Sequence, residues 1–247
     1  MTRSKGGFTI IEVTLVMAIT GVLAMLLIVG WARNLSTQSY KDGVNSLVAK
    51  LQNQYDEVYN TSNDRGKTLT CRGAPVYDAT TTTTNQGSSD CVVLGRYLLF
   101  SNDTVTIKRI IGIDTNGAST TSDIDAIKDF SPQSVVNDVE LADEYQLPWG
   151  ITLYQPNTAK TPVNKAVVIV RSPLSGAVYT YSLDTAANTE PKVIDVLKTG
   201  TTDATVFCLQ PGTAVSSTPM AVTITKDAST HESVGTKSYE GGNECAL

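Results

Sequence analysis

The sequence predicts an α+β chain: a long N-terminal α-helix, transmembrane through its first half and amphipathic through its second, packed on an antiparallel β-sheet head. Three observations carry this expectation. Val13 to Ala32, VTLVMAITGVLAMLLIVGWA, contains no charged residue. Beyond it, Val44, Leu47, Val48, Leu51, Tyr55 and Val58 recur at the spacing of one helix face. After Asn60 the period falls to two, in short β-branched and aromatic runs separated by Gly, Pro, Asn and Asp.

Residues 1–7, MTRSKGG, form a short polar leader with two positive charges, Arg3 and Lys5. As a helix, Phe8 to Trp31 would span ~36 Å, enough to cross a hydrocarbon core of about 30 Å with some tilt. Trp31, followed by Arg33 and Asn34, suits the membrane–water interface, and the positive leader favours a cytoplasmic N-terminus. A secretory signal peptide fits less well. Its apolar region runs only about 7–15 residues to a small-residue cleavage site, and no A-x-A pattern follows Trp31. The amphipathic stripe continues the same helix to Tyr59, with Lys41, Asp42, Lys50, Gln52, Asp56 and Glu57 on its other faces. Residues 8–59 are therefore one helix and residues 60–247 a single β-rich head, since no internal repeat or Pro/Gly linker divides the latter.

Strands are expected in CVVLGRYLLF, DTVTIKRIIGI, WGITLYQ, KAVVIVRS, GAVYTYSL, ATVFCLQ and AVTITK. The fourth and fifth form a hairpin, with Pro173 and Gly176 in its connection. Tyr179 and Tyr181, alternating with Thr180 and Ser182, imply one packed face and one wet face. Thr80–Asp90 and Ile113–Gln133 read as loops, the second carrying a short helix around Ile124–Phe130.

Composition narrows the chemistry. The chain is 41% apolar and only 17% charged, with net charge −5; losing Arg3 and Lys5 would bring it to −7. Such a balance gives no strong nucleic-acid signal. Four cysteines without a CxxC spacing and a single histidine, His231, argue against a zinc site. They read as two disulfides in an oxidising compartment. Of three possible pairings, Cys71–Cys91 and Cys208–Cys245 are favoured, because each brackets a polar, turn-rich stretch. His231 sits in the polar stretch KDASTHESVG and reads as solvated. No nucleophile elbow, metalloprotease motif or phosphate-binding loop is present, so no enzyme and no cofactor is expected. Asp123, Asp125 and Asp129 do not match a calcium loop and read as a solvated acidic segment. The glycosylation triplets at Asn34, Asn60 and Asn102 are common by chance in a chain this rich in Ser, Thr and Asn.

Glu12 stands apart. A carboxylate within hydrocarbon costs roughly 2.5–3.5 kcal/mol on insertion scales, so it needs a partner or a role. Were the chain cut after Gly7, Phe8 would carry a free α-amine one turn from Glu12. Packed against a second copy with a small axial offset, the carboxylate and the neighbour's amine could pair across helices. Such pairing is strongly attractive in low dielectric only when both charges are well placed.

The stretch KGGFTIIEVTLVMAITGVLAMLLI resembles the prepilin N-terminus of type IV pilins and of type II secretion pseudopilins. The likeness comprises a basic leader, Gly7, Phe8, Thr9, apolar Ile10 and Ile11, then Glu12 and the long span. It covers about the first 30 residues. It implies a pilin-like fold, with cleavage after Gly7 by a membrane-embedded aspartic prepilin peptidase that also methylates Phe8. It implies that Glu12 pairs with a neighbour's N-terminal amine during assembly of a homo- or heteropolymer by membrane-bound pilus machinery. The subunit would sit in the cytoplasmic membrane before assembly and in a cell-surface pilus after it. Cys208–Cys245 is similar to the C-terminal disulfide loop of some pilins. Many pilins carry a proline in the apolar helix, and none lies between Phe8 and Tyr59 here; Gly21, Gly30 and Gly43 are the only weak points. Major pilin, minor pilin, and secretion or competence pseudopilin all fit this motif. A polar, Thr-rich head suits a surface pilus somewhat better. The competing class is a membrane-anchored extracellular binding domain that never polymerises.

Overall fold

The computed structural model describes residues 9–60, 69–71, 75–77, 91–113, 122–135, 142–156, 159–187, 189–212, 219–239 and 245. One helix, α1 (Ile10–Tyr59), runs unbroken for 50 residues, ~75 Å at 1.5 Å per residue. No kink marks Gly21, Gly30 or Gly43. Gly43 instead admits a close neighbour, since a Cβ there would collide with Ile151 Cδ1.

The strands follow in chain order: β1 (Leu69–Cys71), β2 (Pro75–Tyr77), β3 (Cys91–Ser101), β4 (Thr104–Ile113), β5 (Gln133–Ser134), β6 (Ala142–Gln146), β7 (Thr152–Tyr154), β8 (Asn164–Arg171), β9 (Val178–Asp184), β10 (Thr205–Gln210), β11 (Met220–Ile224) and β12 (Val234–Ser238). Two short α-helices, α2 (Asp123–Asp129) and α3 (Val193–Thr199), and two 3-10 turns, Pro148–Gly150 and His231–Ser233, complete the described elements. All pairings are antiparallel. The larger sheet has the order β5-β4-β3-β8-β9, with β6 also on the β4 edge; the smaller is β12-β11-β10-β7. The β1–β2 ribbon stands separately. The molecule is thus α+β, with an apolar N-terminal helix and antiparallel sheets, as the sequence predicts at this coarser level.

Helix α1 lies across both sheets. Tyr40, Val44, Leu47, Leu51, Tyr55 and Val58, all at most 2% exposed, meet Leu98, Phe100, Val167 and Ile169 of the larger sheet. The same stripe meets Phe207, Leu209, Val222 and Ile224 of the smaller sheet. Phe100 and Phe207 stack with ring centroids 4.2 Å apart, joining the two sheets beneath the helix. On the opposite face of the larger sheet, Tyr97, Ala166, Val168 and Val170 pack under Ile127 of α2 and Val193, Val196 and Leu197 of α3.

This three-layer packing overturns the expectation of one wet face on the Tyr179–Ser182 strand. Thr180, Tyr181 and Ser182 are all 7% exposed, because α1 covers one side of the sheet and the short helices the other. Polar side chains survive there by bonding: Thr180 donates to the Ala228 carbonyl at 2.7 Å and lies 3.0 Å from the Tyr55 hydroxyl. A second correction concerns WGITLYQ. Its strand starts only at Thr152, because Trp149 (φ 62°) and Gly150 (φ 67°) form a left-handed turn against Gly212. At Gly95, where β3 bulges, a Cβ would strike the Ile169 carbonyl oxygen, so glycine sets the approach of β3 to β8.

Candidate functional site

The start of α1 is built from three consecutive polar decisions. Thr9 is the N-cap in extended conformation, and its Oγ1 accepts from the Glu12 amide at 3.3 Å. Glu12 Oε2 in turn accepts from the Thr9 amide and from the Thr9 hydroxyl, each at 3.0 Å. This reciprocal capping box satisfies backbone donors that a helix start leaves unpaired. It also places a negative charge at the positive end of the macrodipole. The other carboxylate oxygen, Oε1, has no hydrogen bond among the described residues.

Ile10–Ile28 is the one described helix segment long and apolar enough to cross a membrane, ~28 Å over 19 residues. Its only polar side chains are Glu12, Thr14 and Thr20. Thr14 donates to the Ile11 carbonyl at 3.0 Å and Thr20 to the Val16 carbonyl at 2.8 Å. Each polar side chain of the segment therefore makes at least one bond to its own helix or its N-cap, as a lipid or dry protein environment favours, and only Glu12 Oε1 is left over. None of the segment is buried: Ile10 is 83% exposed, Leu27 74% and Trp31, just beyond it, 70%. Nothing in the chain's own fold covers it.

The second half of α1 is held rigidly. Tyr40 donates to the Leu209 carbonyl at 2.9 Å and accepts from the Met220 amide at 3.1 Å. Lys50 pairs with Asp143 of β6, and Glu57 with Arg96 of β3. Arg171 donates from a terminal guanidinium nitrogen to the Tyr59 carbonyl at 3.1 Å, capping the helix C-terminus with a cation. His231 is exposed, as expected, and also sits 3.0 Å from Asp56, tying α1 to the segment leading into β12. The apolar half is thus a stiff arm projecting from a clamped base.

The remaining sequence-derived candidates fall as follows. Gly7 and Phe8 lie outside the described residues. Cys71 ends β1 and Cys91 begins β3, with side chains outside the described set. Cys208 and Cys245 form a disulfide with Cα atoms 5.4 Å apart, which ties residue 245 to the middle of β10. Asp123 opens α2 and accepts from Ser172 at 2.6 Å and Tyr179 at 2.8 Å, bonds that hold its carboxyl below the usual range, Ser172's foremost. Half-exposed itself, beside an exposed Asp125, it also holds α2 on the β8–β9 hairpin. The Thr9 partnership was the residue the sequence reading lacked. Its signal is the T-x-x-E spacing of Thr9 and Glu12 directly before an apolar run. No protein-family model matches the chain, and no curated protein or solved structure does either.

Proposed function

We propose that the chain is a structural subunit of a type IV pilus-like filament, cut after Gly7 and polymerised through α1, and that it is not an enzyme. The observation that carries this reading is the single unbroken α1, whose clamped half lies in the head while its apolar half is wholly uncovered. Lipid covers that arm before assembly, and neighbouring copies of the arm replace the lipid afterwards. The free Oε1 of Glu12 supports a cationic partner, which the α-amine of a neighbour's Phe8 supplies. Secretion pseudopilins use the same parts and remain within this proposal.

One observation favours a second reading. The capping box accounts for Glu12 without any neighbour, as a membrane-anchored domain that stays monomeric would require. One substitution and one measurement separate the readings. Glutamine at position N3 also closes a capping box but carries no charge, so Glu12→Gln keeps the cap and removes the ion-pair partner. Filament assembly predicts that Glu12→Gln abolishes polymer seen by electron microscopy while membrane insertion persists. Wild-type behaviour of Glu12→Gln would sink the assembly role of the charge. The first measurement is mass spectrometry of the N-terminal peptide. Processing predicts a peptide beginning at Phe8, about 14 Da heavy for one methyl group; an intact leader with the peptidase present would favour the anchored domain.

A further inference from the structure

The face of the larger sheet opposite α1 is only partly covered by α2 and α3. Beside the end of α2 and the start of α3 lies a cleft of about 510 Å³ lined by Lys128, Gln133, Ser134 and Lys192, with buried Pro132 and Val193 at its base. A second cleft of about 400 Å³ is lined by Ser101, Thr104, Thr106, Asn164, Thr185 and Thr189. They adjoin at Glu190, which lines the second cleft and accepts a hydrogen bond from Ser134 of the first at 3.3 Å. Each volume falls in the range of small-ligand sites, roughly 300–1,000 Å³.

The two ends differ in charge. Glu190 is compensated by Lys108 at 2.6 Å. Lys128 has only a long contact with Asp125, 3.9 Å, and Lys192 has no ion pair among the described residues. The first cleft therefore offers ammonium groups able to take a carboxylate by charge-assisted hydrogen bonds. The second offers four threonine hydroxyls, a serine and an amide, which exchange hydrogen bonds with ligand hydroxyls. Glu144 and Glu190 on its walls repel a polyanion, and Phe100, which also lines it, has its side chain fully buried against Phe207 and offers no stacking platform to a base.

We propose that this groove binds a short acidic glycan, with a sugar carboxylate between Lys128 and Lys192 and neutral sugar hydroxyls along the threonine-rich cleft. The face points away from α1, so neither a membrane around the apolar arm nor helix packing covers it, and the proposal stands whether or not the chain polymerises.

The test is calorimetric titration of the full chain in detergent micelles with sialyllactose, a hyaluronan tetrasaccharide and lactose. At least one acidic sugar is expected to bind saturably, about tenfold or more tighter than lactose. Lys192→Gln should weaken that binding about tenfold, and Thr189→Val a few-fold. Lys226→Gln, on an exposed lysine paired with Asp203 outside the groove, should change nothing. Circular dichroism checks that each variant is folded. The proposal is overturned if neither acidic sugar saturates, if lactose binds as tightly, or if Lys192→Gln binds like the parent chain.

Discussion

The hydroxyl of Tyr97 is buried in the layer between the larger sheet and the short helices, and it has no hydrogen-bond partner among the described residues. An unmet buried hydroxyl costs about 1–3 kcal/mol, so Tyr97→Phe is expected to stabilise the protein by about 1 kcal/mol. A chemical-denaturation midpoint that falls would mean the hydroxyl is bonded after all. Tyr55 has the opposite character. Its hydroxyl meets Thr180, and burial pushes its ionisation up to about 12 from a usual 10.0. The neutral phenol is the folded form, so the associated stability is complete below pH 10. It is lost as pH rises from 10 to 12, because the unfolded chain ionises first. Two units correspond to about 3 kcal/mol at most. Tyr55→Phe should therefore lower stability at neutral pH yet flatten its fall between pH 10 and 12; an equally steep fall would assign that window to other groups. Residue roles of this kind were the least legible in the sequence. The stripe that buries Tyr55 could be read from spacing, but its tie to Thr180 spans 125 positions and belongs to the fold. Thr9–Glu12 was legible, being local, and a membrane-length run beside it drew attention to charge instead of to capping.

Helix α1 contains two halves with separate energetics. Leu51 is 1% exposed within the core, and its truncation to alanine should cost about 2–5 kcal/mol of head stability. Leu23 is 54% exposed on the apolar arm, so Leu23→Ala should leave the head's thermal transition unchanged. Equal losses from both substitutions, read by thermal unfolding in micelles, would contradict this separation. Long elements were legible because their patterns repeat: α1 carries its stripe over 14 positions from Val44 to Val58, and β3, β4, β8 and β9 carry sustained β-branched runs. The unread elements are short or polar. Strand β6, ADEYQ, owes its existence to pairing with β4, and β12, VGTKS, to pairing with β11. Helix α3 follows Pro191 and buries only Val193, Val196 and Leu197, too few positions to declare a period in a segment rich in β-branched residues.

At the scale of the whole molecule, the head's buried core begins at Tyr40; Ile10, Leu23, Trp31 and Leu35 contribute nothing to it. The ties described above between α1 and the sheets run from Tyr40 onward, to Lys50, Glu57 and the Tyr59 carbonyl. Folding of the head and insolubility of the chain are therefore separable properties. The apolar arm presents an uncovered hydrophobic surface, far beyond the few hundred Å² that soluble monomers tolerate, and water does not accommodate it. A chain shortened to begin at Ser36 should be soluble without detergent, sediment as a monomer and unfold cooperatively within a few degrees of the full chain in micelles. The full chain should require lipid, detergent or assembly with its own kind. A shortened chain that aggregates or unfolds without cooperativity would show that the arm stabilises the head, and the picture of a self-sufficient head on a separate arm would fail. Solubility with a persistent dimer would instead place an interface on the head itself, and the proposal that copies associate through α1 would not suffice.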